Sequence, residues 1–243
     1  MKIALIGYGK MGHAIESIAL GRGHEIVARI DADNQADFDS EEFASADVAI
    51  EFTTPATAVQ NYMRAFSKGV PVVSGSTGWT ARMPEIEAMC SNGEATFFWT
   101  SNFSIGVNLF FTLNKKLAAM MSGFPQYRPE MLEIHHIHKL DHPSGTAITL
   151  ANGIEEADPK VTGWTENEAE ASDSTLLIRH EREGEVPGTH IIKWESDVDA
   201  ITIEHRAKSR MGFALGAVMA AEWIVDKKGF LTMDMFMNYL LSK

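Results

Sequence analysis

The chain is poor in the features that would place it in several large protein classes. It has a single cysteine, Cys90, so no internal disulfide can form, and the composition suits a reducing compartment. Basic residues are scarce: 21 Lys and Arg stand against 33 Asp and Glu, for a formal charge of -12. A nucleic acid or an anionic membrane surface is therefore excluded as the main partner, because either needs a broad basic face. Long apolar runs are missing too. The longest, Ala214–Ala221, stops at Glu222, far short of the ~20 residues of a membrane span. The start, Met1-Lys-Ile-Ala-Leu-Ile-Gly7, has too few apolar residues for a signal-peptide core, so a cytoplasmic protein is expected.

The chain is long enough, at 243 residues and 45% hydrophobic, for two small domains with buried cores. Its first hundred residues alternate short apolar strands with helix-like stretches. Strands are expected at Lys2–Ile6, Glu25–Ile30, Val48–Phe52, Val70–Val73 and Thr96–Trp99, and helices at Met11–Leu20, Ala56–Ser67 and Met83–Met89. This alternation predicts an α/β domain with a Rossmann-like parallel sheet. After a helix at Val107–Met121 the period changes to two, over Met131–His138, Thr175–Glu183, Thr189–Glu195 and Ala200–Lys208. Consecutive strands predict a smaller α+β domain with a mixed or antiparallel sheet, and Glu183–Gly188 reads as a hairpin loop. Helices return at Ala214–Asp226 and Met233–Leu241. The expected division is a dinucleotide-binding domain at 1–105 and 214–243, and a substrate-binding and oligomerisation domain at 106–213. The segment Glu155–Asp173, with seven acidic residues and one lysine, reads as a solvated loop.

Two segments carry chemistry. The first is Gly7-Tyr8-Gly9-Lys10-Met11-Gly12, lying between an apolar strand and an amphipathic helix. In that context Gly7 permits a tight turn, Gly9 lets the backbone approach a pyrophosphate, and Gly12 allows close packing. The helix N-terminus adds amide donors for phosphates. Asp31, 19 residues after Gly12, is placed to accept from an adenosine ribose hydroxyl. Phe52 and Thr53, then Gly75-Ser76-Thr77, then Ser101-Asn102-Phe103 follow neighbouring strands and are expected to line the same crevice. Asp31 disfavours a 2′-phosphate and no arginine follows it, whereas Lys10 could neutralise one. Use of both NADH and NADPH is expected.

The second segment is Glu133-Ile-His-His-Ile-His-Lys-Leu-Asp-His-Pro-Ser-Gly-Thr-Ala147. Read as a continuing strand, it puts His136 and His138 on one face and His135 and Ile137 on the other. Ser144, Gly145 and Thr146 would open a helix and offer a carboxylate site. Lys139 would add a positive charge or donate a proton, and His135 or His136 would donate to a second carboxylate or a ring nitrogen. A zinc site built from these histidines and Asp141 is disfavoured because adjacent strand residues point apart; no metal is expected. The implied substrate is a small dicarboxylate.

The strand ending in His-His, the lysine three residues on and the Asp-x-Pro-Ser-Gly-Thr-Ala run together resemble the 4-hydroxy-tetrahydrodipicolinate reductase (dihydrodipicolinate reductase) family. Gly9–Gly12, Gly75–Gly78, Asn102–Asn108 and His205–Arg210 with Phe213 and Gly216-Ala217 are similar to it as well. The resemblance implies an NAD(P)H-dependent reductase of diaminopimelate and lysine biosynthesis. It implies His135 as the catalytic histidine and Lys139 as the general acid. Substrate would be held by His136, Lys139, Ser144, Gly145 and Thr146, in a homotetramer built through the second domain's sheet. The alternative is another two-domain NAD(P)-dependent dehydrogenase of amino-acid metabolism. A dinucleotide-sensing module would instead bind the cofactor without turnover.

Overall fold

The computed structural model describes residues 1–243. In chain order the strands are β1 (Lys2–Ile6), β2 (Glu25–Ile30), β3 (Val48–Glu51), β4 (Val72–Ser74), β5 (Thr96–Trp99), β6 (Arg128–His135), β7 (Gly163–Thr165), β8 (Thr175–Arg182), β9 (Thr189–Glu195), β10 (Ala200–Arg206) and β11 (Gly229–Leu231). The α-helices are α1 (Lys10–Gly21), α2 (Glu41–Ala44), α3 (Ala58–Ser67), α4 (Met83–Ser91), α5 (Ile105–Met121), α6 (Gly145–Ala157), α7 (Met211–Ile224) and α8 (Met233–Leu241). The chain forms two compact units, Met1–Ile105 with Met211–Lys243, and Gly106–Arg210. No helix is long and apolar enough to cross a membrane.

The first unit is a six-stranded parallel sheet in the order β11-β5-β4-β3-β1-β2. Its strands are short and apolar on both faces because both faces are covered. Ile3, Leu5, Val48, Ile50, Val73 and Phe98 join α1, α7 and α8 in one core layer. The alternate residues Ala4, Ile6, Ala49, Val72 and Phe97 join α3 and α4 in the other, with Cys90 among them. Burial pushes the Cys90 thiol up to about 11, which makes it an inert filler. The strand order reverses between β1 and β3, so the turns after these two strands lie side by side. That reversal is where open parallel sheets bind ligands.

The second unit is a five-stranded mixed sheet in the order β10-β9-β6-β8-β7. One face packs on α5 and α6 through Phe110, Met121, Leu150, Ile154, Met131, Ile178, Ile192 and Trp194. Two expectations change here. Glu183–Gly188 is not a hairpin loop, because β6 lies between β8 and β9. The loop instead straddles the end of β6, where the Glu183 amide donates to the His135 carbonyl (2.8 Å) and the Ile137 amide donates to the Gly184 carbonyl (3.1 Å). The strand ends at His135; beyond it the Lys139 amide donates to the His136 carbonyl (3.1 Å), so His136, Ile137 and His138 occupy a turn and share no strand face. The β7 and β11 strands, three residues each, are too short to show a period.

Candidate active site

In the first unit, the turn after β1 shows why glycine is needed at some positions and not others. Gly7 has φ +91°, and a Cβ there would lie 2.0 Å from the Phe52 carbonyl oxygen. At Gly12 a Cβ would meet the Gly7 carbonyl at 2.4 Å, so this glycine lets α1 press on the turn itself. Gly9 faces open space, with nothing within 4 Å of a built Cβ. It caps α1 without a side-chain bond, leaving the first-turn amides free to meet an anion.

Beside this turn lies a cavity of about 320 Å³ lined by Gly7, Tyr8, Gly9, Asp31, Ala32, Gln35, Phe52, Thr53 and their neighbours. Asp31 is held at its rim: Oδ1 accepts from the Ala32 amide (2.9 Å) and Oδ2 from the Tyr8 amide (3.3 Å). Arg29, the nearest cation in sequence, is tied to Glu16, which also accepts from the Tyr8 hydroxyl. Lys10, Met11 and Gly12 begin α1. Of the other expected cofactor residues, Thr77 and Ser101 are exposed, Gly75 and Asn102 are half-buried, and Ser76 is buried. Phe103 lies in the core against Phe52 and Phe98.

Thr53, which lines the cavity, is bonded to a residue that the sequence does not single out. Glu51 is fully buried; its carboxylate accepts from Ser76 Oγ (2.9 Å), Ser74 Oγ (2.6 Å), the Thr53 amide (3.1 Å) and the Thr53 hydroxyl. Burial raises its pKa, and these bonds partly oppose that shift. The carboxylate thus sets the positions of Thr53 and Ser76. Its signal in the sequence is the lone charge closing the apolar strand Val48-Ala-Ile-Glu51.

In the second unit, the strand alternation of β6 buries Met131, Glu133 and His135 on the core side. Glu133 is fully buried, and its Oε2 accepts from the Ser144 amide (2.9 Å). Arg182 Nη1 lies 3.6 Å from Glu133 Oε1, and the same guanidinium donates to the Lys139 and Asp141 carbonyls (3.2 and 2.9 Å). Glu133 and Arg182 therefore pin the loop from Lys139 to Ser144 onto the end of β6. Ser144 caps α6, its hydroxyl oxygen accepting from the Ala147 amide (3.1 Å) and lying 3.1 Å from His190 Nε2. The Ser144 amide is thus occupied by the protein's own carboxylate. The amides of Gly145 and Thr146 head the helix as first-turn donors that no helix carbonyl can reach.

The half-buried ammonium of Lys139 meets both oxygens of Asp141 (2.8 and 2.7 Å), which holds the Asp141 carboxyl below its usual range. His135 and His136 each bury an Nδ1 that has no partner within the chain. Burial lowers the pKa of His135, although Glu133, 3.7 Å away, works against the shift. His190 is pushed down to about 3, first by burial and then by neighbouring positive groups. Both imidazoles are therefore neutral near pH 7, which leaves Lys139 and Arg182 as the cations of the cluster, the Arg182 guanidinium being taken up by Glu133 and the Lys139 and Asp141 carbonyls.

These shifts predict an acid-sensitive fold. The folded pKa of His190 lies below its unfolded value, so between the two the unfolded chain binds a proton that the native protein lacks. Stability is fully present above about pH 6.5 and falls toward pH 3, by up to about 1.4 kcal/mol per pH unit. His135 and His205 shift in the same direction and steepen the upper part of that window. Urea midpoints should drop as pH is lowered from about 6.5 to 5, less so in His190→Gln. A flat midpoint over that range would contradict the assignment.

A strand-order reversal with a glycine turn, a cavity at that turn, and a second unit carrying a lysine, neutral histidines and helix-head amides define a pyridine-nucleotide-dependent oxidoreductase. Comparison with known proteins narrows the class. Residues 1–103 match the family model described as "Dihydrodipicolinate reductase, N-terminus", and residues 106–237 match "Dihydrodipicolinate reductase, C-terminus". The chain belongs to the dihydrodipicolinate reductase family. It is 48% identical to 4-hydroxy-tetrahydrodipicolinate reductase of Christiangramia forsetii, over 98% of this chain and 100% of that one. With the protein of the same name from Archaeoglobus fulgidus it shares 35% identity, over 98% and 100% of the two chains. The fold also matches that of a dipicolinate-bound dihydrodipicolinate reductase from Paenisporosarcina sp. TG-14. The TM-score is 0.75 at 23% identity, covering 96% of this chain and 97% of that one.

Proposed function

We propose that this chain reduces 4-hydroxy-tetrahydrodipicolinate to tetrahydrodipicolinate, with loss of water, in diaminopimelate and lysine biosynthesis. The bound NADH or NADPH supplies the hydride. What supports the reading most is one grouping in the second unit: the Lys139 ammonium, the buried His135, the half-buried His136, and the Gly145 and Thr146 amides all stand around the end of β6. That set offers a cation and several donors to a doubly anionic ring. As hydride reaches the conjugated ring, electron density moves toward the imine nitrogen and its carboxylate. A donor at that point stabilises charge that appears only in the transition state. Lys139 is the general acid in this scheme, because burial keeps His135 without the extra proton it would have to give. His135 then orients the ring through a neutral imidazole N–H. His136, Ser144, Gly145 and Thr146 complete the substrate contacts, with the Ser144 side chain serving through its cap of α6.

For the nucleotide, Gly7 to Gly12 cradle the pyrophosphate and Asp31 receives the adenosine ribose. Phe52, Thr53, Gly75, Thr77, Ser101 and Asn102 form the walls toward the nicotinamide, and the buried Ser76 and Phe103 back them from within. Asp31→Ala is expected to weaken NADH more than NADPH, since the carboxylate attracts a ribose hydroxyl and repels a phosphate; equal losses by titration would contradict the ribose assignment. The half-buried apolar residues Leu132, Ile134 and Ile191, on the sheet face away from α5 and α6, support a homotetramer formed through this sheet. The deciding assay supplies the condensation product of pyruvate and aspartate semialdehyde and follows nicotinamide absorbance with each cofactor. No oxidation with either cofactor would end the proposal.

A further inference from the structure

Three residues far apart in sequence meet on the surface of the second unit, and the reductase reading uses none of them. His142 lies in the loop between β6 and α6, Glu166 directly follows β7, and His180 stands on β8. His142 Nδ1 and His180 Nδ1 each lie 2.9 Å from the same oxygen, Glu166 Oε1. The two imidazole rings stack with centroids 4.2 Å apart and planes within 18°. The three donor atoms all lie within 4.8 Å of one another. We propose that His142, Glu166 and His180 bind a divalent cation of the zinc type.

The donor set selects the kind of metal. Two imidazole nitrogens and one carboxylate suit zinc, nickel or copper, whereas calcium and magnesium prefer all-oxygen shells. The spacing is also close to what is needed. Tetrahedral zinc with bonds of about 2.1 Å sets its donors about 3.4 Å apart. The observed 2.9 Å contacts need to open by roughly half an ångström, which exposed side chains can do. Side-chain exposures of 50%, 26% and 34% leave the fourth position to water.

The scaffold supports the same conclusion. His180 sits within a strand paired to β6, and Glu166 continues a strand paired to β8, so two of the three ligands hang on the sheet. Ring stacking keeps both imidazoles turned to one side. A second cluster, Glu133, His135 and His190, is less suited. Its carboxylate already accepts from the Ser144 amide, and the Arg182 guanidinium 3.6 Å away would repel a cation. Bound metal would tie the loop that carries Lys139 and Asp141 to β7 and β8.

The test uses the full chain, freed of metal by a chelator. Zinc is titrated in competition with a chromophoric chelator, and cobalt absorption is recorded in parallel. The wild type should take up one tight equivalent, show the intense visible bands of tetrahedral cobalt, and melt at higher temperature with zinc. His142→Ala and His180→Ala should each lose at least ~10-fold in affinity, Glu166→Gln should weaken binding, and His138→Ala should leave it intact. No stoichiometric zinc uptake by the wild type would overturn the proposal. Uptake that survives in the double variant His142→Ala/His180→Ala would overturn it as well.

Discussion

Lys139→Ala is expected to lower kcat by at least about 10²-fold while nicotinamide cofactor binding stays near normal. The expectation rests on which group near the substrate still carries a proton at neutral pH. Burial lowers the pKa of His135 and holds that of His190 near 3, so neither is a cation under working conditions. Lys139 is half-buried and already charge-paired with Asp141. The substrate's carboxylate can share or displace that exposed partner without leaving the ammonium unpaired. Because the charge matters most in the transition state, its loss should fall on kcat more than on cofactor affinity. Lys139→Arg should recover little, since a guanidinium keeps the charge but does not give up a proton near neutral pH. Single-turnover kinetics with near wild-type rates in Lys139→Ala would remove the residue from the mechanism.

Glu133→Ala is expected to destabilise the second unit by at least about 2 kcal/mol and to raise KM for the substrate. Removing this carboxylate strands the buried Ser144 amide and leaves the Arg182 guanidinium without its anion. The loop from Lys139 to Ser144 is pinned to β6 by those contacts, so the donors at Gly145 and Thr146 would lose their placement too. Glu133→Gln separates the two roles. Its amide oxygen can still accept from Ser144, so stability should largely return. Its lost charge should lower the pKa of His135 further, since Glu133 is the group that raises it. Denaturant unfolding reads the first effect and NMR titration of His135 the second. An alanine variant as stable as the wild type would show that Glu133 does not hold the loop.

Much of this was legible in the sequence because it depends on local rules. The strand β1 followed by Gly7, Gly9 and Gly12 needs nothing distant to be read, since turn sterics and helix-head amides act within one short stretch. The run from Lys139 to Thr146 is local in the same sense, as is the cap that Ser144 makes on α6. Period-2 patterning likewise marks β9 at its observed bounds. Alternation fails at the end of β6, where the chain turns at His136 against the loop after β8, nearly fifty residues away. The loop after β8 departs from the expected hairpin for a related reason. Nothing local says that β6 will insert between β8 and β9.

By itself, the amino-acid sequence determined the α/β and mixed-sheet classes, the glycine turn, and which lysine and histidines are the candidates for the chemistry. Each of these follows from side-chain period, backbone sterics or donor type within about twenty residues. Only the tertiary structure decided that Glu51 braces Thr53 and Ser76, that Glu133 and Arg182 hold the Lys139 loop, and that His142, Glu166 and His180 converge. These are contacts between strand ends and loops that become neighbours only through strand order. Strand order is a property of the packed sheets, which no single stretch of chain encodes.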